Sequence, residues 1–193
     1  VFARNEVDIT WPTTSTGVQN ISKSGTTSVP KGSTVSFNIT LQPGYQFNQG
    51  DVQVGGIPLG WTIKENADKT TTYYFSFVAN AEPTVEGQKA TMAVAVNEPS
   101  IKKQVITLPS GYGYRATFVN CEHADGSPIA EATGKSSYEF SYGDKFQISL
   151  KANRNMTASL DVNGTTHLTA SNTGTTTCTD KHEVTDAVYN IVV

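Results

Sequence analysis

The chain has 193 residues, with 14 Lys and Arg against 17 Asp and Glu for a net charge of −3, and is 37% hydrophobic and 16% charged. That balance is too apolar and too weakly charged for a disordered chain, and without a basic stripe to neutralise phosphates no nucleic-acid partner is expected. The apolar runs fall far short of the ~20 residues a membrane helix needs, so no membrane insertion is expected either.

Length allows one large or two small domains, and a unit of roughly 90 residues can bury enough surface to fold alone. The opening VFARNEVDITWP carries no signal-peptide pattern, which fits a mature or excised piece and a chain never exported equally well. A Thr/Ser-rich stretch, TTSTGVQNISKSGTTS, follows, with VQNIS embedded in it as a candidate strand. From there period-two alternation dominates. In STVSFNITL, Val35, Phe37, Ile39 and Leu41 share one face; in YYFSFVAN, Tyr73, Phe75 and Phe77 do; in ATMAVAV, Met92, Val94 and Val96 do. RATFVNC, KFQISLKA, ASLDVNG and AVYNIVV continue the pattern, and only the stretch near SPIAEATG has any helical character. Breakers such as QPGY, GGIPLG, NADK, LPSGYG and ADGSP come at the spacing of an antiparallel sandwich.

The pattern recurs. GSTVSFNITL from Gly32 has a counterpart in GDKFQISLKA from Gly143, and GDVQVGG in SLDVNG, an offset of about 110 residues. Thr-rich turns, KTTTYY and GTTTCT, lead to the closing runs KATMAVAV and DAVYNIVV, and counting back from each glycine aligns EVDIT with ATFVN. Two units of similar topology are predicted, 1–98 and 112–193. Between them, 99–111 is read as an ordered joint or strand, because SIKKQVITL alternates and lacks the Gly/Ser richness of a flexible coil.

The order Gly-Ser-Thr-Val-Ser-Phe, Pro-Gly-Tyr, Asp-Val-Gln-Val-Gly-Gly over residues 32–56 resembles the Ig-like and divergent internalin-type B-repeats of bacterial surface proteins. Residues 143–164 match only loosely, since the second unit lacks the Gly-Tyr. The resemblance implies a non-enzymatic, β-rich spacer or adhesive module and brings no catalytic residue with it.

In the second half, Cys121 with His123 and Cys178 with His182 are spaced to share strand faces. Three readings stand: a Cys121–Cys178 disulfide, which would stabilise by roughly 4 kcal/mol and imply an oxidising compartment; two buried thiols; or a zinc site from Cys121, His123, Cys178 and His182, in an order unlike the usual structural spacing. Acceptor sequons at Asn20, Asn38, Asn155 and Asn163 read as polar outward positions on strands and turns. Catalytic patterns are missing. There is no Gly-x-Ser-x-Gly elbow; Glu65, Asp68, Glu82 and Glu86 sit in turns without an apolar pocket; and Asp125 and Glu131 lack the other ligands of a calcium loop. Among the turn aromatics, Trp61 and Tyr138 read as caps on the sandwich ends, whereas Tyr112, Tyr114 and Trp11 are the candidate contact residues, with Tyr142 beside a turn as well.

The expectation is an all-β chain of two tandem Ig-like antiparallel sandwiches, with β-grasp-like repeats as the alternative. No enzyme activity, cofactor or resident metal is expected. The expected role is a structural and adhesive module at the bacterial cell surface or outside the cell, touching a protein or glycan on a host or neighbouring surface. Two alternatives self-assemble: a virion protein, such as a head-decoration or fibre domain, and an extracellular filament subunit. In the filament the opening strand would pair with a neighbour's sheet edge, so that deleting the first ~12 residues would leave the fold intact.

Overall fold

Residues 5–152, 157–160, 169–170, 174–177 and 184–193 are described in a computed structural model, and nearly all regular structure in them is strand. The chain divides into two units, Val1–Ile101 and Lys102–Val193. The fold is all-β, built from β-sandwich sheets as the alternation predicts.

Unit 1 holds β1 (Glu6–Thr10), β2 (Val18–Ile21), β3 (Thr26–Pro30), β4 (Thr34–Leu41), β5 (Tyr45–Gln46), β6 (Val52–Val54), β7 (Ile57–Pro58), β8 (Thr62–Glu65), β9 (Thr71–Val78), β10 (Ala90–Val96) and β11 (Ser100–Ile101). One sheet has the order β3-β1-β10-β6-β7 and the other β2-β4-β9-β8. The chain alternates between sheets over its first four strands, so each connection crosses the core. Among the described residues the pairings are antiparallel except one: β1 runs parallel to β10, from Val7 opposite Ala90 to Thr10 opposite Ala93. The sheets are otherwise antiparallel, as the spacing of alternating runs and breakers leads one to expect. A parallel pair needs its strands far apart in sequence, and alternation within a strand carries no sign of direction.

Alternation sets the core. Val35, Phe37, Ile39 and Leu41 of β4 are all buried, and they join Val7, Ile9, Trp11, Val52, Val54, Tyr73, Phe75 and Val94 in one cluster. Phe37 stacks on its cross-strand partner Phe75 at 5.0 Å between centroids, and Trp11 meets Phe37 edge-on at 5.1 Å. Such pairs contribute about 0.5–1.5 kcal/mol each beyond their buried area.

Unit 2 holds β12 (Lys103–Thr107), β13 (Tyr114–Glu122), β14 (Ser137–Ser141), β15 (Lys145–Ala152), β16 (Thr157–Leu160), β17 (Thr169–Ala170), β18 (Gly174–Thr177) and β19 (Val184–Val192). Its sheets are β12-β14, β13-β15-β19-β17 and β16-β18. SPIAEATG forms a single 3-10 turn at Ala130–Ala132. Phe118, Phe140, Phe146, Ile129, Ile148 and Leu150 lead the core.

The predicted joint 99–111 is divided between the units. Ser100 and Ile101 pair with Gln46 and Tyr45, while Lys103–Thr107 pair with Ser137–Ser141. The break falls where the alternating run SIKKQVITL passes from one sheet to another.

The described parts of the two units share a set of pairings, which differ at their ends from the sequence alignment. β1 meets β3 with Glu6 opposite Pro30 and Thr10 opposite Thr26; β12 meets β14 with Lys103 opposite Ser141 and Thr107 opposite Ser137. Trp11 N–H donates to Gly25 at 3.0 Å, and Leu108 N–H to Ser136 at 2.7 Å. Gly32 and Gly143 both take positive φ, 85° and 88°. Gly32 N–H donates to Ala79 O and Ala79 N–H to Ser33 O; Gly143 N–H donates to Val193 O and Val193 N–H to Asp144 O. Finally, Thr34 lies opposite Val78 as Lys145 lies opposite Val192. EVDIT therefore corresponds to KQVIT, not to ATFVN, and β19 corresponds to β9, not to β10.

Two tight turns set a pH expectation. Asp68 accepts the hydroxyl and the amide of Thr70, and Asp125 accepts those of Ser127. The Ser/Thr hydroxyl, then the amide, holds each carboxyl below its ordinary 3.8. A carboxylate with a depressed folded pKa stabilises fully above the unfolded value and stops doing so as pH falls through the folded one. Carboxyl-carbon NMR should give midpoints below 3.8 for both. Asp68→Asn should remove its share of the stability loss on acidification; an unshifted Asp68 midpoint would refute this.

Candidate functional site

An open groove of about 750 Å³ crosses the outer face of the β2-β4-β9-β8 sheet, a volume in the range of ligand pockets. Because Phe37 and Phe75 point into the core, their neighbours Ser36, Asn38, Tyr74 and Ser76 must point out. Cross-strand pairing sets Ser36 opposite Ser76 and Asn38 opposite Tyr74, with Thr62 of β8 on the far side of Tyr74. Ser22 and Lys23 close one flank; Gly60, Trp61 and Thr62 close the other. With strands ~4.8 Å apart, the platform measures roughly 14 Å across.

The same sheet face divides into two chemical halves. Toward one end, Thr40 and Thr72 share a hydrogen bond at 3.0 Å, Asn66 donates to Thr70 and Thr72, and Thr70 donates to Asp68. That half is satisfied internally. In the groove half, the side chains of Ser36, Asn38, Thr62, Tyr74 and Ser76 have no hydrogen-bond partner among the described residues, while Ser22 Oγ accepts the backbone N–H of Asn38. Tyr74 is 43% exposed. Lys23 is the one charged side chain in the lining. Half-buried Trp61 packs edge-on against Tyr73 at 5.5 Å and Phe75 at 6.1 Å, and it also lines a smaller cavity of about 230 Å³ with Gln49, Pro58, Leu59 and Gly60. An exposed ring with unpartnered hydroxyls and an amide around it can hold a flat ligand that is apolar on its face and polar on its rim.

The residues singled out from sequence fall elsewhere. Trp11 is buried at 7% exposure, with its indole N–H donating to Thr27 Oγ1 at 3.0 Å. It is a core residue and is withdrawn as a contact. Tyr112 is 94% exposed, but Tyr114 packs on the unit 2 core, its ring over Gly111 where an added Cβ would lie 2.5 Å away. Tyr138 packs edge-on to Phe140 at 4.9 Å beneath the Lys135 ammonium.

Cys121 and His123 do not share a strand face. Asn120 takes φ 49° and the β13–β15 register shifts between Val119 and Glu122, so alternation is lost where the reading relied on it. Cys121 turns into the core as a free thiol, and burial pushes its pKa up from 9.0, away from the thiolate that binds zinc. His123 Nδ1 lies 3.1 Å from Oδ1 of buried Asp144, whose Oδ2 accepts the Ser141 amide at 2.7 Å. Cys178 and His182 lie outside the described residues, and with them the disulfide and the rest of the zinc set. Among the described residues no cluster of His, Cys, Asp and Glu could hold a metal, and no helix is long and apolar enough to cross a membrane.

No known protein family, curated protein or solved structure matches the chain.

Proposed function

We propose that the chain is a non-enzymatic adhesive and spacer module of a bacterial surface protein, with the unit 1 groove as its contact site for a glycan on a host or neighbouring surface. The unpartnered Ser36, Asn38 and Ser76 around the exposed Tyr74 ring carry this reading. A pyranose has a C–H face that lies on an aromatic ring and a rim of hydroxyls that exchange hydrogen bonds with amides and alcohols. A peptide anchor would need a more apolar floor, and a phosphate ligand more cations than Lys23. The likeness of residues 32–56 to surface-protein repeats supports the setting.

The test is binding to an immobilised panel of neutral, amino and sialylated oligosaccharides, followed by titration of any hit on Trp61 fluorescence. Tyr74→Ala should weaken binding at least tenfold, and Asn38→Ala roughly three- to tenfold, for about 1 kcal/mol per lost contact. Binding that survives both would refute the groove. Adhesion to cells that survives periodate treatment of their glycans would point to a protein ligand instead.

The second reading is a virion structural protein assembled in a reducing cytoplasm, in which the buried Cys121 would stay a thiol. Thiol-trapped intact mass of naturally sourced protein separates the two. Both cysteines alkylated on a symmetric assembly supports the virion; a mass two units light on a monomer supports the surface module.

A further inference from the structure

β1 and β12 occupy the same place in their units, with the same antiparallel register to β3 and β14 on one edge. On its other edge β1 is paired with β10. Among the described residues nothing pairs with the corresponding edge of β12, and β12-β14 stands as a two-stranded sheet. A two-stranded ribbon is marginal alone, whereas three strands over an apolar face are stable. Burial agrees. Val7 and Ile9 of β1 are 0% exposed, while Ile106 is 9% exposed and Gln104, at the place of Val7, is half-buried.

From this geometry we infer that unit 2 has an open strand slot beside β12, which takes an extended segment donated by another polypeptide chain. Unit 1 supplies the template. The donor runs parallel to β12, with positions opposite Gln104, Val105, Ile106 and Thr107 matching Ala90–Ala93 opposite Val7–Thr10. Its alternate residues are apolar and face the core, as Ala90, Met92 and Val94 do in β10. Charge sets one further property. In unit 1, Lys89 at the start of β10 bridges to Glu6 at 2.7 Å and reaches Asp8 at 3.6 Å. At those two places unit 2 has Lys103 and Val105, the latter 61% exposed. The donor therefore begins with an acidic residue, placed to meet Lys103 as Lys89 meets Glu6. Strand addition of this kind draws affinity from main-chain hydrogen bonds and specificity from alternate side chains.

The test uses the full 193-residue chain and a synthetic peptide of Lys89–Asn97 carrying Lys89→Glu. Hydrogen exchange is read on β12 with and without peptide, alongside native mass spectrometry. In the free monomer, the β12 amides that do not face β14 should exchange roughly tenfold or more faster than those of β1. The peptide should bind one to one and slow them, and the same peptide with Ala93→Pro should not. As a second arm, Asn80–Val96 with Lys89→Glu is appended after Val193, which sits where Ala79 does. That variant should protect β12 and raise the melting temperature of unit 2 even if free peptide binds weakly. A chain recovered as an oligomer with β12 already protected would identify the donor as a second copy. Protection of β12 equal to that of β1 in the free monomer would overturn the slot, and so would β12 exchange unchanged by both peptide and appended segment.

Discussion

Deleting residues 1–12 will abolish the fold of unit 1. β1 is an interior strand of its sheet, paired with β3 on one edge and β10 on the other. The deletion removes Val7 and Ile9, both 0% exposed, and Trp11 at 7%. At about 1.5–3 kcal/mol for each large apolar side chain, that burial amounts to roughly 5–9 kcal/mol, comparable with the whole 5–15 kcal/mol stability of an ordinary domain. It also leaves β3 and one edge of β10 without their shared neighbour and Lys89 without Glu6 and Asp8. Hydrogen exchange should show the β4 and β9 amides unprotected, and urea unfolding should lose the unit 1 transition. Ile9→Ala alone should cost about 2–5 kcal/mol. A truncated chain that keeps both transitions would show that β1 is dispensable and would restore the filament reading in which this strand is free to leave. With β1 built in, that form of the filament is not supported, and unit 2 becomes the place to look for strand exchange.

The fold was largely legible because alternation reports burial directly. Val35, Phe37, Ile39 and Leu41 lie where period two puts them, and the Gly32 and Gly143 turns mark matching places in both units. What failed depends on spacing. Counting back equal distances from the two glycines assumed equal loops, but unit 2 inserts the 3-10 segment between β13 and β14 where unit 1 has a short turn between β2 and β3. The parallel β1–β10 pair left no local trace. Cys121 and His123 were read through a strand that bulges at Asn120, and a left-handed asparagine is hard to foresee in a run such as RATFVNC. The groove was the nearest miss. Placing Tyr73, Phe75 and Phe77 on one face of YYFSFV leaves Tyr74 and Ser76 on the other, and an aromatic on the polar face of an alternating strand was the available signal. Trp11 and Tyr114 lie beside turns in the sequence, but the folded units bury or pack away their rings.

Phe118→Ala should be among the most damaging single substitutions in unit 2, lowering its stability by about 3–5 kcal/mol. The side chain is 0% exposed and joins three elements. It meets Phe140 of β14 edge-on at 5.1 Å and Phe146 of β15 edge-on at 5.0 Å, while those two rings stack at 4.5 Å. Phe118 and Phe146 come from the β13-β15 sheet and Phe140 from the β12-β14 ribbon, so the triad is the seam between layers. Truncation leaves a ring-sized cavity at that seam, and a ribbon of two strands has little pairing of its own with which to stay in place. The loss should appear as fast exchange in β12 and β14 before β13 and β15, with a lower urea midpoint at an unchanged slope. A cost under about 1 kcal/mol would mean that the seam collapses around the gap. Uniform loosening of all four strands would mean that the ribbon has support beyond the triad. Combining Phe118→Ala with the segment appended after Val193 links this result to the strand slot. A third strand beside β12 adds main-chain pairing that does not depend on the aromatic seam, so it should restore much of the protection in β12 while leaving the cavity in place.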